Sequence, residues 1–222
     1  MSEKKTNLKI TLVLPAYNEE RSIAQTILSA KSYTGNQVDV IVANDCSKDH
    51  TAQRAADAGA IVHTLPHNQG YDGALRAGIE LAHAKGYDFA ITFDADGQHP
   101  AHMLPKYIEL LPDHDLVLGI RPETARFSEF VFAIYTRCRY GIRDPLCGMK
   151  AYRLSVLEQY KFDTYDSTNT ELMLRIVKAK RPWTQLAVPI APREGGPSRF
   201  GSVWRGNMRI FKSLWRAIIH GL

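Results

Sequence analysis

Phe89-Ala90-Ile91-Thr92-Phe93 runs directly into Asp94-Ala95-Asp96-Gly97-Gln98-His99-Pro100. Two carboxylates one residue apart are hard oxygen ligands suited to a divalent cation such as Mg²⁺ or Mn²⁺, and such a cation neutralises the charge that grows on a departing diphosphate. Alternation along an extended chain puts Asp94 and Asp96 on one side. Carboxylates set against an apolar strand are expensive without a counter-charge, which favours a cation site over a solvated turn or a salt bridge. Gln98 offers a neutral oxygen that suits either metal. His99, a lone histidine before Pro100, reads as a turn contact rather than a ligand.

Two more polar clusters follow apolar runs. Pro15-Ala16-Tyr17-Asn18-Glu19-Glu20 comes after residues 9–14, and Asn44-Asp45-Cys46-Ser47-Lys48-Asp49 after residues 38–43. Ser47, Asp49 and Thr51 double as helix-capping material. Arg193, Ser198 and Arg199 flank Gly195-Gly196-Pro197, a loop able to close over a bound anion, and the guanidinium fork matches phosphate geometry. Glu171 heads an apolar helix and reads as a first-turn charge or as the capping-box partner of Thr168.

The elements that must position these residues are short apolar runs at 9–14, 38–43, 61–65, 89–93 and 116–120, alternating with amphipathic stretches at 20–32, 49–58, 72–84 and 102–111. That alternation predicts an α/β fold, an open, mostly parallel sheet flanked by helices. Ligands of such sheets bind outside the carboxyl ends of the strands, where the three polar clusters fall. Helices are expected at 129–140 and 168–178, a strand at 183–189, and an amphipathic helix at 202–219 with Trp204, Met208, Phe211, Trp215 and Ile218 at helical spacing.

With 222 residues, 45% of them hydrophobic and 23% charged, the chain has the composition of a globular protein with one substantial core. Cys46, Cys138 and Cys147 are too scattered for a disulfide framework or a zinc site, which fits a reducing cytosol. The first nine residues lack the apolar stretch of a signal peptide, and no apolar run approaches the roughly 20 residues that span a bilayer. The net charge of +5 is matched by the C-terminal stretch alone, where Arg193, Arg199, Arg205, Arg209, Lys212 and Arg216 face only Glu194. No nucleic-acid motif accompanies that charge, so no nucleic-acid partner is expected. Basic residues interspersed with an apolar, aromatic stripe instead point to a helix lying in a membrane interface, together with residues 127–140.

Taken in order, Pro15-Ala16-Tyr17-Asn18-Glu19, Asn44-Asp45-Cys46-Ser47-x-Asp49-x-Thr51, Asn68-x-Gly70-x-x-Gly73-Ala74 and Asp94-Ala95-Asp96-Gly97-Gln98-His99-Pro100 resemble the inverting family-2 glycosyltransferases of GT-A fold. The likeness is strongest to the dolichyl-phosphate mannose synthases and related polyprenyl-phosphate glycosyltransferases. It spans roughly residues 9–121, with echoes at Asp144-x-x-Cys147-Gly148 and Arg193-x-x-Gly196-x-Ser198-Arg199. The resemblance implies that Pro15, Ala16, Tyr17 and Glu19 line a nucleoside pocket, that Asp45 bonds the base, and that Gly70 and Gly73 let the backbone approach the nucleotide, loop geometry being the competing account for both glycines. It further implies that Asp94, Asp96 and Gln98 hold Mg²⁺ or Mn²⁺ on the donor diphosphate, with Ser198 and Arg199 closing on the donor and Arg121, Arg137 and Arg193 meeting the phosphates during transfer.

A single GT-A catalytic domain over 1–222 is expected, with 8–121 binding the nucleotide diphosphate sugar, 122–201 facing the acceptor and 202–222 forming the amphipathic helix. A lipid phosphate is already anionic near neutral pH, whereas an alcohol acceptor needs a general base. The Glu-Asp base and Gln-x-x-Arg-Trp signature of many alcohol-glycosylating relatives do not occur, which favours a polyprenyl phosphate acceptor at the cytoplasmic face of a membrane. Transfer to a saccharide or other alcohol is the alternative. A nucleotidyltransferase would carry a Gly-x-Gly-Thr-Arg-like start where this chain has Pro15-Ala16-Tyr17, and a binding module with a degenerate site would tolerate loss of Asp96.

Overall fold

The computed structural model describes residues 8–97, 99–122, 127–159, 167–189 and 203–219. Strands β1 (Ile10–Ala16), β2 (Val38–Asn44), β3 (Ile61–Thr64) and β4 (Phe89–Thr92) alternate with helices α1 (Ile23–Thr34), α2 (Thr51–Asp57) and α3 (Gly70–Ala84). The four strands are parallel neighbours in the order β3-β2-β1-β4. The chain thus grows outward from β1 through β2 to β3, then returns to the opposite flank of β1. This reversal opens a crevice at the carboxyl ends of β1 and β4, the place where open α/β sheets bind ligands.

Beyond β4, the order continues with β6 (Lys150–Arg153), β5 (Leu116–Ile120) and β7 (Trp183–Ala187), which makes one seven-stranded sheet. β6 runs antiparallel to both β4 and β5, while β5 and β7 are parallel. The sheet is therefore mostly parallel, as expected, but its centre contains a strand that the sequence does not announce. Lys-Ala-Tyr-Arg is only four residues long and carries two basic side chains, so nothing in its pattern separates it from a loop. Pairing on both edges makes it a strand.

Helices α4 (Leu104–Leu110), α5 (Phe127–Tyr140), α6 (Thr168–Lys178) and α7 (Val203–Ile219) complete the described α-helices. One sheet face packs Leu12, Leu14, Val40, Val42 and Ile91 against Ile23 and Ile27 of α1 and Leu104 of α4. The other packs Val13, Ile41 and Ala90 against Leu75, Ile79 and Ala82 of α3. With both faces covered, the strands read as continuous apolar runs, which is why β1, β2 and β4 are visible in the sequence. α1 starts later than residue 20 because residues 17–22 are drawn into the loop after β1, where the Glu19 carbonyl accepts bonds from the Ser22 and Ile23 N–H groups.

Candidate active site

The loops that follow β1 and β2 are stitched together by reciprocal hydrogen bonds. Asn18 N–H donates to Ser47 Oγ at 2.9 Å, and Lys48 N–H donates back to Asn18 Oδ1 at 2.9 Å. Glu19 N–H donates to Thr51 Oγ1 at 2.8 Å, Glu20 N–H to Asp49 Oδ2 at 3.2 Å, and His50 N–H to Glu20 Oε2 at 3.1 Å. Asp49 is thus more than a local partner of Thr51, and the Ser47 hydroxyl bonds to the neighbouring loop rather than to the start of α2. Burial alone would raise the Asp49 carboxyl pKa, but bonds from the Thr51 hydroxyl and N–H bring it below its ordinary value. Asn18 and Cys46 hold φ near 53° and 58°, a left-handed conformation that non-glycine residues rarely adopt and that these crosslinks support.

Pro15 and Ala16 are the last, buried residues of β1, while Tyr17 and Glu19 are partly exposed in the loop beyond it. A cleft of about 670 Å³ opens there, lined by Asn18, Glu19 and Asp49 of these loops, by Ser22 and Thr26 near and on α1, and by Gly97 and His99. Asp45 is only 3% exposed, and both of its oxygens are engaged by the start of α3: Gln69 N–H at 2.6 Å and Gly70 N–H at 2.8 Å. The carboxylate thus meets two of the unpaired donors and the positive end of the helix dipole. Gly70 has φ of 76° with open space where a Cβ would stand, whereas a Cβ on Gly73 would lie 2.5 Å from Gln69 Cβ. Loop and helix geometry therefore accounts for both glycines.

Tyr71, next along α3, donates its hydroxyl to Asp94 Oδ1 at 3.0 Å. Burial, and after it the adjacent Asp94 charge, holds the phenol pKa well above its ordinary value, so the hydroxyl stays a donor. Asp94 N–H donates to His99 Nδ1 at 2.9 Å, which puts the proton of the neutral ring on Nε2, and that nitrogen lies 3.4 Å from Asp94 Oδ2. His99 is therefore directed at Asp94 through both nitrogens, as a turn contact. Gly148 backs the same carboxylate, since a Cβ there would stand 2.9 Å from Asp94 Oδ2 and 2.8 Å from His99 Cε1.

β4 ends at Thr92, so Asp94 and Asp96 do not lie on an extended strand, and Ala95 and Asp96 occupy a turn. The two carboxylates still flank a buried residue, for Ala95 is 4% exposed and its carbonyl accepts from Thr26 Oγ1 of α1. Gln98 lies outside the described residues, as do Arg193, Ser198 and Arg199. Among the described residues no group of three His, Cys, Asp or Glu converges into a closed metal cage. The donor set nonetheless fits a hard cation that takes its remaining oxygens from substrate and water, because Mg²⁺ commonly binds through one or two carboxylates plus phosphate. Asp94 and Asp96 would hold it.

Arg121, at the end of β5, is clamped. Its Nε donates to Asp144 Oδ2 at 2.7 Å, its Nη2 to Asp144 Oδ1 and Glu129 Oε2, each at 2.9 Å, and its N–H to Asp144 Oδ2 at 3.1 Å. Burial on its own would raise Asp144, but the guanidinium holds that carboxyl below its ordinary value. Arg121 therefore fastens α5 and the segment after it to the sheet. Arg137 lies exposed in the last turn of α5. Nearby, the wholly buried Lys150 donates to the Pro145 carbonyl at 2.8 Å, and burial lowers its pKa to about 8. Glu171 is buried and bonds to Arg175 one turn along α6, while Thr168 N–H and Oγ1 donate to the Asp72 side chain and carbonyl of α3. Glu171 stands in the first turn of α6, one of its two expected readings, while the head of that helix takes its cap from Asp72.

α7 packs against α5, with Leu214 and Ser213 turned inward and Ser167 at the head of α6 bonded to Ser213. Met208, Phe211, Trp215 and Ile218 form an exposed stripe on α7, alongside exposed Phe127, Phe130 and Ile134 on α5. Among the described residues no helix is long and apolar enough to cross a membrane.

Sequence reasoning overlooked Tyr71 and Asp72, whose contacts with Asp94 and Thr168 lie 23 and 96 residues away, and also Glu129 and Lys150, whose partners Arg121 and Pro145 are near in the chain but form no periodic pattern. The family model described as glycosyl transferase family 2 matches residues 11–161. The chain is 26% identical to the undecaprenyl-phosphate mannosyltransferase of Micrococcus luteus, over 94% of each chain. It is 28% identical to the dolichyl-phosphate hexose transferase of Haloferax volcanii, over 92% of each. Glucosyl-3-phosphoglycerate synthase from Mycobacterium tuberculosis, solved with Mn²⁺, uridine diphosphate and phosphoglyceric acid, superposes with a TM-score of 0.72 at 22% identity, covering 93% of this chain and 78% of that one. The acidic turn at the sheet's switch point thus sits in a GT-A fold, and the protein belongs to glycosyl transferase family 2.

Proposed function

We propose that this chain transfers a sugar, with inversion, from a nucleotide diphosphate donor such as GDP-mannose or a UDP-sugar to a polyprenyl or dolichyl phosphate at the cytoplasmic face of a membrane. The observation that carries the reading is the Asp94-Ala95-Asp96 turn beside the crosslinked β1 and β2 loops, at the crevice where the sheet reverses its order. A bound Mg²⁺ or Mn²⁺ supplies neutralisation of the departing diphosphate. Asp94 and Asp96, joined by Gln98, would hold that cation, and Tyr17 and Glu19 border the nucleoside. Arg193, Ser198 and Arg199 close on the donor and exclude water, while Arg137 draws in the acceptor phosphate.

The acceptor phosphate oxygen forms the new bond to the anomeric carbon as the bond to the diphosphate breaks on the opposite face, so a single displacement inverts the centre. No general base is needed for an anionic acceptor. In keeping with that, Glu129, Asp144 and Glu171 are each engaged by an arginine. The relatives named for undecaprenyl and dolichyl phosphate support the acceptor class, and the exposed apolar stripes of α5 and α7 support docking on a lipid surface. A donor screen with Mn²⁺ and detergent-solubilised polyprenyl phosphate tests the proposal. Nucleotide diphosphate release that requires the lipid is expected. Robust release to a soluble sugar with the lipid withheld would decide for an alcohol acceptor.

A further inference from the structure

Asp94 is confined from outside its own loop. Oδ1 accepts the Tyr71 hydroxyl at 3.0 Å, and Oδ2 faces His99 Nε2 at 3.4 Å, with Gly148 packed behind. The turn of α3 that delivers Tyr71 is itself fastened on two sides. Asp45 holds the Gln69 and Gly70 N–H groups, and Asp72 receives the Thr168 N–H at 2.9 Å and, through its carbonyl, the Thr168 hydroxyl at 3.2 Å. Tyr71 is therefore presented to Asp94 by a rigid support. Its single donor leaves lone pairs on the carboxylate for another partner.

We propose that Tyr71 is a positioning residue, whose hydroxyl fixes the Asp94 carboxylate in the orientation that receives the divalent cation. The inference rests on the reading of Asp94 as a cation ligand. Hydrogen bonds to a ligating carboxylate reduce the freedom it must lose on binding, and removing such a partner lowers metal affinity by roughly 10–100-fold. The same contact links the cation site through α3 to the head of α6, which lies 96 residues further along the chain from Asp72 to Thr168.

Tyr71→Phe removes one oxygen and keeps the ring. Mn²⁺ binding is followed from the electron paramagnetic resonance signal of the free aquo ion, with UDP or GDP present in parallel titrations. The expected result is a Mn²⁺ affinity roughly tenfold or more weaker, an unchanged melting temperature, unchanged nucleotide binding without metal, and turnover restored by excess Mn²⁺. Asp94→Asn is measured alongside. Affinity preserved in Tyr71→Phe but lost in Asp94→Asn overturns the inference alone. Affinity preserved in both overturns the reading of Asp94, and the inference with it. A loss that comes with a lowered melting temperature or lost metal-free nucleotide binding assigns Tyr71 to the fold and overturns the inference too.

Discussion

Replacing Arg121 with alanine separates a structural arginine from a phosphate-binding one. The substitution deletes side-chain bonds to Asp144 at 2.7 and 2.9 Å and to Glu129 at 2.9 Å, and leaves two carboxylates whose side chains are only 4% and 9% exposed. Removing one partner of a buried ion pair costs about 3–5 kcal/mol, because the remaining charge stays desolvated. In a chain of this size about 1 kcal/mol moves the melting temperature by roughly 2–4 °C, so a fall of roughly 6–20 °C is expected in thermal unfolding followed by circular dichroism at neutral pH. The pH dependence has a definite sign. In the native protein the Asp144 pKa lies below its ordinary 3.8, so the stabilisation is complete above that value and is lost as pH falls through the folded pKa. In the variant Asp144 keeps only backbone N–H donors from residue 121 and Leu146, and burial moves its carboxyl up relative to the native protein, so the deficit is greatest at neutral pH and narrows in acid. Arg121→Lys keeps the charge without the fork and should fall between the two. An unchanged melting temperature with abolished turnover would refute the clamp and return Arg121 to the phosphates.

Asp96→Ala should abolish nearly all turnover while leaving the melting curve in place, checked by nucleotide diphosphate release and calorimetry side by side. Gly148→Ala puts a methyl 2.9 Å from Asp94 Oδ2 and 2.8 Å from His99 Cε1, so it should cost about 1–3 kcal/mol of stability and raise the Mn²⁺ concentration needed for half-maximal rate. Phe211→Glu with Trp215→Glu, both on the exposed stripe of α7, should reduce co-sedimentation with anionic vesicles without altering the fold. Retained sedimentation would leave that stripe without a lipid role.

The residues proposed to carry chemistry were readable where the chain itself groups them. Asp94 and Asp96 follow an apolar strand, and the Tyr17–Glu20 and Asp45–Thr51 clusters follow two others, because a sheet covered on both faces writes its strands as apolar runs and its ligand loops as polar breaks. Even there, the alternation argument for Asp94 and Asp96 rested on a strand that stops at Thr92. The pair instead flanks buried Ala95 in a turn.

Local sequence was sufficient for strands β1 to β5 and β7, for the helices that cover them and for the amphipathic helix, because hydrophobic periodicity acts over a few residues. Only the tertiary structure could place Lys150–Arg153 as a strand between β4 and β5, close Arg121 on Asp144 and Glu129, turn Asp45 and Asp72 into caps for distant helices, and bring Tyr71 to Asp94. Apart from the Arg121–Glu129 pair, each of these depends on polar groups finding partners far along the chain, and the requirement that such groups be paired leaves no periodic mark on it.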